Sequence, residues 1–223
     1  GIAAALRLYR LDVVPPGLHF DLLANAIDAD AIRHGERPIF LPGNTGREPL
    51  LHYLLALSFA IFGITPTSYR LVSALAGVTT VAGTYLLARE LVGRHGAALT
   101  AALLAGSFWH VSLSRLGFRA ITTPLCGSMA FWLLWSGWRT GRLGRFILGG
   151  LFLGLSLYTY IPARLYPVLA LLLSLGWLLL PGKGMLPRRR LLIGLLAAGL
   201  ASVVVVLPLG WYTVQYATDI LYR

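Results

Sequence analysis

The sequence predicts an all-α fold, a polytopic transmembrane helical bundle with an outer-face loop containing short amphipathic helices. Three observations predict it. Hydrophobic residues make up 57% of the chain and charged residues 12%, with a mean hydropathy of +0.73; soluble domains carry roughly 25% charged residues. Six apolar runs, 70–88, 96–114, 120–138, 146–161, 165–181 and 191–210, approach the roughly 20 residues that a helix needs to cross the hydrocarbon core. Finally, five of the eight carboxylates (Asp21, Asp28, Asp30, Glu36 and Glu48) share one window, and Glu90 is the single acid between 49 and 218. Charged groups are costly in lipid, so the acidic window is expected to lie outside the hydrocarbon and to carry the chemistry.

The elements follow in order. The chain starts at Gly1 inside an apolar run, Ile2 to Leu11, and reads as a fragment whose first transmembrane helix is clipped. Pro15-Pro16-Gly17 must break that helix. His19 to His34 reads as a short amphipathic helix stopped by Gly35, with Asp21, Asn25 and Asp28 on one face. Leu22, Leu23, Ala26 and Ile27 are expected to supply its membrane-facing surface. Pro38, Pro42, Gly43, Asn44 and Gly46 make the remainder turn-rich. The apolar segment 49–63 is short for a span and is expected to be interfacial or re-entrant, with His52 and Tyr53 at the interface. Together these give one module, 1–223, in which 14–48 is the first extracytoplasmic loop and 70–210 holds six transmembrane helices.

Net charge is +11. Connections 89–95, 139–145 and 183–190 hold nine of the nineteen basic residues, which places them in the cytoplasm by the positive-inside rule. Connections 114–120, 160–166 and 210–223 then face outside; loop 14–48 joins them if 49–63 is interfacial or re-entrant, as expected, and would share the cytoplasmic side if 49–63 crossed. The basic residues show no aromatic-interleaved patch or nucleic-acid motif, so orientation and lipid-headgroup contact explain them and nucleic acid is not expected as a partner. Cys126 lies mid-helix with no second cysteine to pair with. No metal-ligand spacing, P-loop, dinucleotide fingerprint or nucleophile elbow occurs, which removes support for hydrolase, ATPase and dehydrogenase readings and for any cofactor or metal. Gly150 and Gly154 suit close helix packing, and His110 suits a packed, hydrogen-bonded role.

What remains for chemistry is the outer-face set. Asp21 has an ordinary reading as an acid favoured at a helix N-terminus; the other is catalysis. Arg47, Arg119 and Arg164 end different elements; each suits snorkelling to the headgroups, and as a group they suit bidentate binding of a lipid phosphate. Tyr158 and Tyr160 read either as an aromatic belt or as the lining of a sugar-phosphate cleft. His19 beside Asp21 suits positioning, Asp28 is the second carboxylate on the same face, and Glu48 adjoins Arg47.

The run His19-Phe20-Asp21-Leu22-Leu23-Ala24-Asn25-Ala26 resembles the first outer-loop motif of lipid-carrier-dependent GT-C glycosyltransferases. Gly46-Arg47-Glu48-Pro49-Leu50-Leu51, Phe62-Gly63, Tyr69-Arg70-Leu71, Tyr85-Leu86-Leu87-Ala88-Arg89-Glu90-Leu91 and Ser107-Phe108-Trp109-His110 through Ser114-Arg115 fit the same order. The branch is similar to the glycosyltransferase 39 group, relatives of protein O-mannosyltransferases and lipid A aminoarabinose transferases. The resemblance implies an inverting hexosyltransferase that uses a polyprenyl-phosphate sugar donor and a glycan, lipid or protein acceptor. It also implies a bacterial plasma-membrane protein with its active site on the extracytoplasmic side. It assigns Asp21 as the catalytic acceptor-activating acid and extends less directly to Arg47; the residues themselves, read without the family, add His19, Asp28, Glu48, Arg119, Tyr158, Tyr160 and Arg164 to Arg47 as substrate-binding candidates. Three features depart from the pattern: Leu22 stands where a second acid is usual, the second outer loop reads Arg119-Ala120-Ile121-Thr122-Thr123 with no carboxylate where relatives often place one, and Arg47 is one position further from Pro49 than the family's basic residue. The competing classes are a flippase or transporter of lipid-linked sugar, which needs polar groups at mid-membrane, and a structural membrane partner with Asp21 as a cap.

Overall fold

A computed structural model of the chain describes residues 1–17, 20–43, 46–179 and 186–216. Among these it contains nine α-helices and no strand longer than an isolated bridge. They are α1 (Ile2–Leu8), α2 (Phe20–Arg33), α3 (Leu50–Phe62), α4 (Pro66–Gly106), α5 (Phe108–Leu116), α6 (Thr122–Thr140), α7 (Leu143–Ser156), α8 (Leu165–Leu179) and α9 (Arg188–Gln215). Single 3₁₀ turns at Arg119–Ile121 and Ile161–Arg164 lead into α6 and α8. The chain is thus an all-α membrane bundle.

Helix α2 carries Asp21 in its first turn and Arg33 in its last, the charge order that the helix dipole favours. It stops at Gly35, whose φ of +118° needs a residue without a side chain. Of the four residues expected to face lipid, Leu22 and Ala26 are turned inward instead. Leu22, Ala29 and Ile32 pack onto Leu51, Leu55 and Phe59 of α3 and onto Tyr69 of α4, while Leu23 and Ile27 stay exposed. Apolar residues lie on both flanks of α2, and the flank that meets α3 is the one that also carries Asn25. The 13 residues of α3 span about 20 Å, less than the about 30 Å hydrocarbon core.

Helix α4 begins with a reciprocal cap between Thr65 and Ser68 and is broken at Gly93, where φ is +75° and ψ is −178°. The chain after the break returns alongside the first half: a side chain on Gly77 would collide with Ser114 Oγ of α5. Buried Arg7 of α1 closes this hairpin by donating to the Ala105 carbonyl at 3.1 Å and to Ser114 Oγ at 3.3 Å. Its guanidinium lies 2.7 Å from His110 Nδ1. His110 is therefore a packed, hydrogen-bonded residue, as the sequence suggests.

The later helices pack through small residues. Gly150 and Gly154 of α7 face the Ala198 and Ser202 backbone of α9 so closely that a Cβ on either would overlap a carbonyl oxygen. Lipid offers no hydrophobic drive for helices to associate, so packing at such close backbone approach helps hold them together. By length and composition three described helices suffice to cross a membrane: Pro66–Gly106, Ile161–Leu179 and Arg188–Gln215, the second counted with its 3₁₀ turn. The apolar run 146–161 yields the shorter α7, which ends at Ser156 ahead of the 3₁₀ turn Ile161–Arg164.

Two groups of connections separate to opposite ends. Residues of α2, the segment 46–49, the 117–121 turn and Tyr160 gather at one end. At the other, Arg139 Nη1 lies 2.5 Å from Glu90 Oε2, joining the 89–95 and 139–145 connections.

Candidate active site

The site is built around Arg47. Leu41 and Arg47 exchange backbone hydrogen bonds, Leu41 N–H to Arg47 O at 3.0 Å and Arg47 N–H to Leu41 O at 2.7 Å, so the backbone is fixed where this side chain leaves it. The guanidinium then reaches α2. Its Nη2 pairs with Asp28 Oδ2 at 2.7 Å, its Nη1 donates to Asn25 Oδ1 at 2.8 Å, and its Nε donates to the Gly43 carbonyl at 3.3 Å. Bidentate use of a guanidinium across two side chains gives orientation as well as charge neutralisation.

Asn25, only 5% exposed, is the hub of this network. Its Oδ1 also lies 3.1 Å from His52 Nε2, and its Nδ2 donates to the Tyr69 hydroxyl at 3.2 Å. Tyr69 in turn donates to the Gly117 carbonyl at 3.3 Å. One amide thereby links α2, α3, α4 and the turn before α6. Because Asn25 Oδ1 can only accept, His52 Nε2 carries the proton. Burial, reinforced by the Arg47 and Arg119 charges, lowers the His52 pKa to about 3, so the ring is neutral.

Over this floor lies a cavity of about 420 Å³ whose lining includes Asp21, Asn25, Arg47, Phe118, Arg119 and Tyr160. That volume suits a small polar ligand or the head of a larger one. Arg119 sits with its guanidinium carbon 5.2 Å from the Tyr160 ring centroid, a cation–π distance, and donates to the Gly46 carbonyl at 3.4 Å. A half-buried carboxylate thus shares one concave surface with two arginines that come from different connections.

The sequence-derived candidates divide sharply. Asp21, Arg47, Arg119 and Tyr160 meet at the cavity, and Asp28 lies behind it through Arg47. His19 falls outside the described residues. Glu48 is 3% exposed, just ahead of α3, and is not among the residues lining the cavity. The expected arginine trio is a pair, since Arg164 is exposed at the end of its 3₁₀ turn and does not line the cavity. Tyr158 is turned to α9: its hydroxyl donates to the Val205 carbonyl at 2.8 Å and accepts from Leu209 N–H at 3.2 Å. Those two groups are helix partners four apart, interrupted at Pro208, and Tyr158 fills the gap. Asn25, His52 and Tyr69 were not in the candidate set. The signal for Asn25 was its place on the face of Asp21 and Asp28; for His52 it was an imidazole one turn into an apolar helix. Among the described residues no three of His, Cys, Asp and Glu gather as a metal site would require.

Comparison with known proteins now bears on the site. The family model described as dolichyl-phosphate-mannose-protein mannosyltransferase matches residues 44–212, well over half of the chain. The chain belongs to that mannosyltransferase family. A direct comparison with curated protein sequences gives no match. Among solved structures, the chain is similar to the oligosaccharyltransferase of Archaeoglobus fulgidus in its apo form, at 19% identity and a TM-score of 0.75, over 93% of this chain and 28% of that one. It is similar, over the same shares and at 19% identity, to the same archaeal enzyme, AglB, in complex with an inhibitory peptide and a dolichol-phosphate, with a TM-score of 0.72. At that identity the likeness is one of fold. The chain spans little more than a quarter of the length of these structures. This mannosyltransferase-family chain is an integral membrane protein of the GT-C class; its family match begins at residue 44, so α2 with Asp21 lies ahead of it.

Proposed function

We propose that the protein transfers a sugar from a polyprenyl-phosphate-linked donor to an acceptor, with inversion, at the extracytoplasmic membrane face. The observation that carries this reading is the meeting of Asp21 with Arg119 and Arg47 in one cavity. As the acceptor oxygen attacks the anomeric carbon, its proton passes to the Asp21 carboxylate. The bond from that carbon to the phosphate oxygen breaks on the opposite side, which inverts the centre. The lipid phosphate leaves with the negative charge, which Arg119 and Arg47 meet. Tyr160 supports Arg119 from beneath and offers its ring to the sugar. Asn25 and His52 hold Arg47 in place and stay out of the proton transfer. The donor hexose, the acceptor and a bacterial plasma-membrane setting belong to the same proposal, and a structural partner or lipid-linked sugar flippase is the reading it displaces.

The test uses the full-length protein in liposomes with a polyprenyl-phosphate hexose. Asp21→Asn is expected to abolish transfer and donor hydrolysis while donor binding and folding survive. Undiminished turnover in that variant overturns the assignment, and donor translocation without bond cleavage favours the flippase.

A further inference from the structure

We infer that the end of the bundle opposite Asp21 holds a second site, which binds the phosphate of an anionic lipid headgroup. It is independent of the proposed transferase reading. A cavity of about 410 Å³ there is lined by Arg89, Glu90, Trp132, Ser136, Arg139 and Arg145, together with Leu86. The three guanidiniums come from three elements: the last turns before the α4 break, the end of α6 and the start of α7. One is neutralised, since Arg139 pairs with Glu90, the single acid of residues 49 to 218. Arg145 donates to the hydroxyl of Ser136, which is 1% exposed, and this bond anchors that arginine in the cavity wall. Arg89 and Arg145 remain in excess over the one carboxylate. A planar fork of donors on each suits two oxygens of a phosphate.

The position selects a lipid over a soluble anion. Helix α4 runs unbroken from Tyr69, in the floor of the Asp21 cavity, to Glu90, and 21 residues at 1.5 Å each amount to about 32 Å. The two polar cavities are therefore separated by about the thickness of a hydrocarbon core, which sets this one at the depth of the opposite headgroups. Trp132, on the cavity wall, is the residue type that settles at that depth. Leu186 packs against the Gly141 turn, which brings the Arg188–Arg190 start of α9 to the same end and adds to its positive field. The far ends of spans are ordinarily basic for orientation alone; a walled cavity holding a buried hydroxyl and a carboxylate-balanced arginine is more than that.

The experiment is native mass spectrometry of the full-length protein titrated with phosphatidylglycerol, phosphatidylcholine and inorganic phosphate. Preferred, saturable retention of phosphatidylglycerol is expected. Arg89→Ala with Arg145→Ala should weaken it by about twenty-fivefold, at about fivefold per guanidinium. Glu90→Gln should strengthen it and gives an independent readout if the arginine variants fold poorly. Equal retention of the two lipids, or unchanged retention in both sets of variants, overturns the site. Displacement of phosphatidylglycerol by millimolar phosphate assigns the cavity to a soluble anion and overturns the lipid assignment.

Discussion

The Arg47 guanidinium is shared between Asp28, at 2.7 Å, and Asn25, at 2.8 Å, two residues one turn apart on α2. Arg47 thereby faces the cavity with its charge balanced from behind, whereas Arg119 enters from the opposite side over the Tyr160 ring. The two arginines differ in setting: Arg47 also ties the loop helix to the segment before α3, so in the proposed reaction Arg119 is expected to meet more of the leaving phosphate's charge than Arg47 does.

Asp28→Ala should show this. It leaves a nearly buried guanidinium short of its carboxylate, for which a loss of about 2 kcal/mol of stability is expected, the pair being partly exposed on the Asp28 side. A lowered thermal midpoint in detergent, with a raised donor KM and a smaller change in kcat, is the predicted pattern.

Arg119→Ala should behave in the opposite way. Loss of a donor aimed at the departing phosphate is expected to lower kcat by about a hundredfold with little change in midpoint. Arg119→Lys should recover part of it, because the charge returns without the fork. Steady-state kinetics of the three proteins side by side decides between charge and shape.

His52 makes stability fall in acid. Its folded pKa is about 3 against 6.5 for the free side chain, so the folded state binds fewer protons between those values. Its contribution is fully present above pH 6.5 and is lost as pH falls toward 3. Thermal midpoints measured from pH 7 to pH 4 should decline, and His52→Gln, which keeps a donor, should flatten that part of the curve.

Tyr158→Phe should destabilise α9 without touching the cavity. It removes the hydroxyl that Leu209 N–H donates to and that the Val205 carbonyl accepts from, at a cost of about 1 kcal/mol or more. Unaltered kcat in the folded fraction, with a lower midpoint, is expected.

Glycine substitutions on α7 separate packing from propensity. Gly150→Ala puts a Cβ 2.1 Å from the Ala198 carbonyl oxygen and is expected to cost about 1–3 kcal/mol. Gly144→Ala meets nothing within 4 Å and should be neutral or slightly stabilising. Thermal scans of both variants in one detergent make the comparison.

Much of this was legible in the residues because lipid leaves few choices. The apolar runs gave α4, α6, α8 and α9, Gly35 gave the end of α2, and the spacing of Asp21, Asn25 and Asp28 gave the face that meets Arg47. What sequence spacing could not show was contact between segments far apart in the chain. Leu22 looks lipid-facing until α3 is folded beneath it, and Tyr158 looks like a ligand until Pro208 creates the gap that it fills. Arg164 had the right chemistry on the right connection, but its turn leaves it at the surface. His52 was hidden for a different reason: a lone imidazole in an apolar helix gains its meaning only from the amide 27 positions earlier.

The unbroken stretch of α4 from Tyr69 to Glu90 also makes the protein a ruler. With a polar cavity seated at each end, it cannot shift along the membrane normal without drawing charge into oil. In a bilayer of shorter or longer acyl chains the mismatch must be taken up by tilt or by deformation of the surrounding lipid. If the proposed reaction holds, turnover should therefore peak at one chain length, with membrane thickness acting as a control on access to the Asp21 cavity.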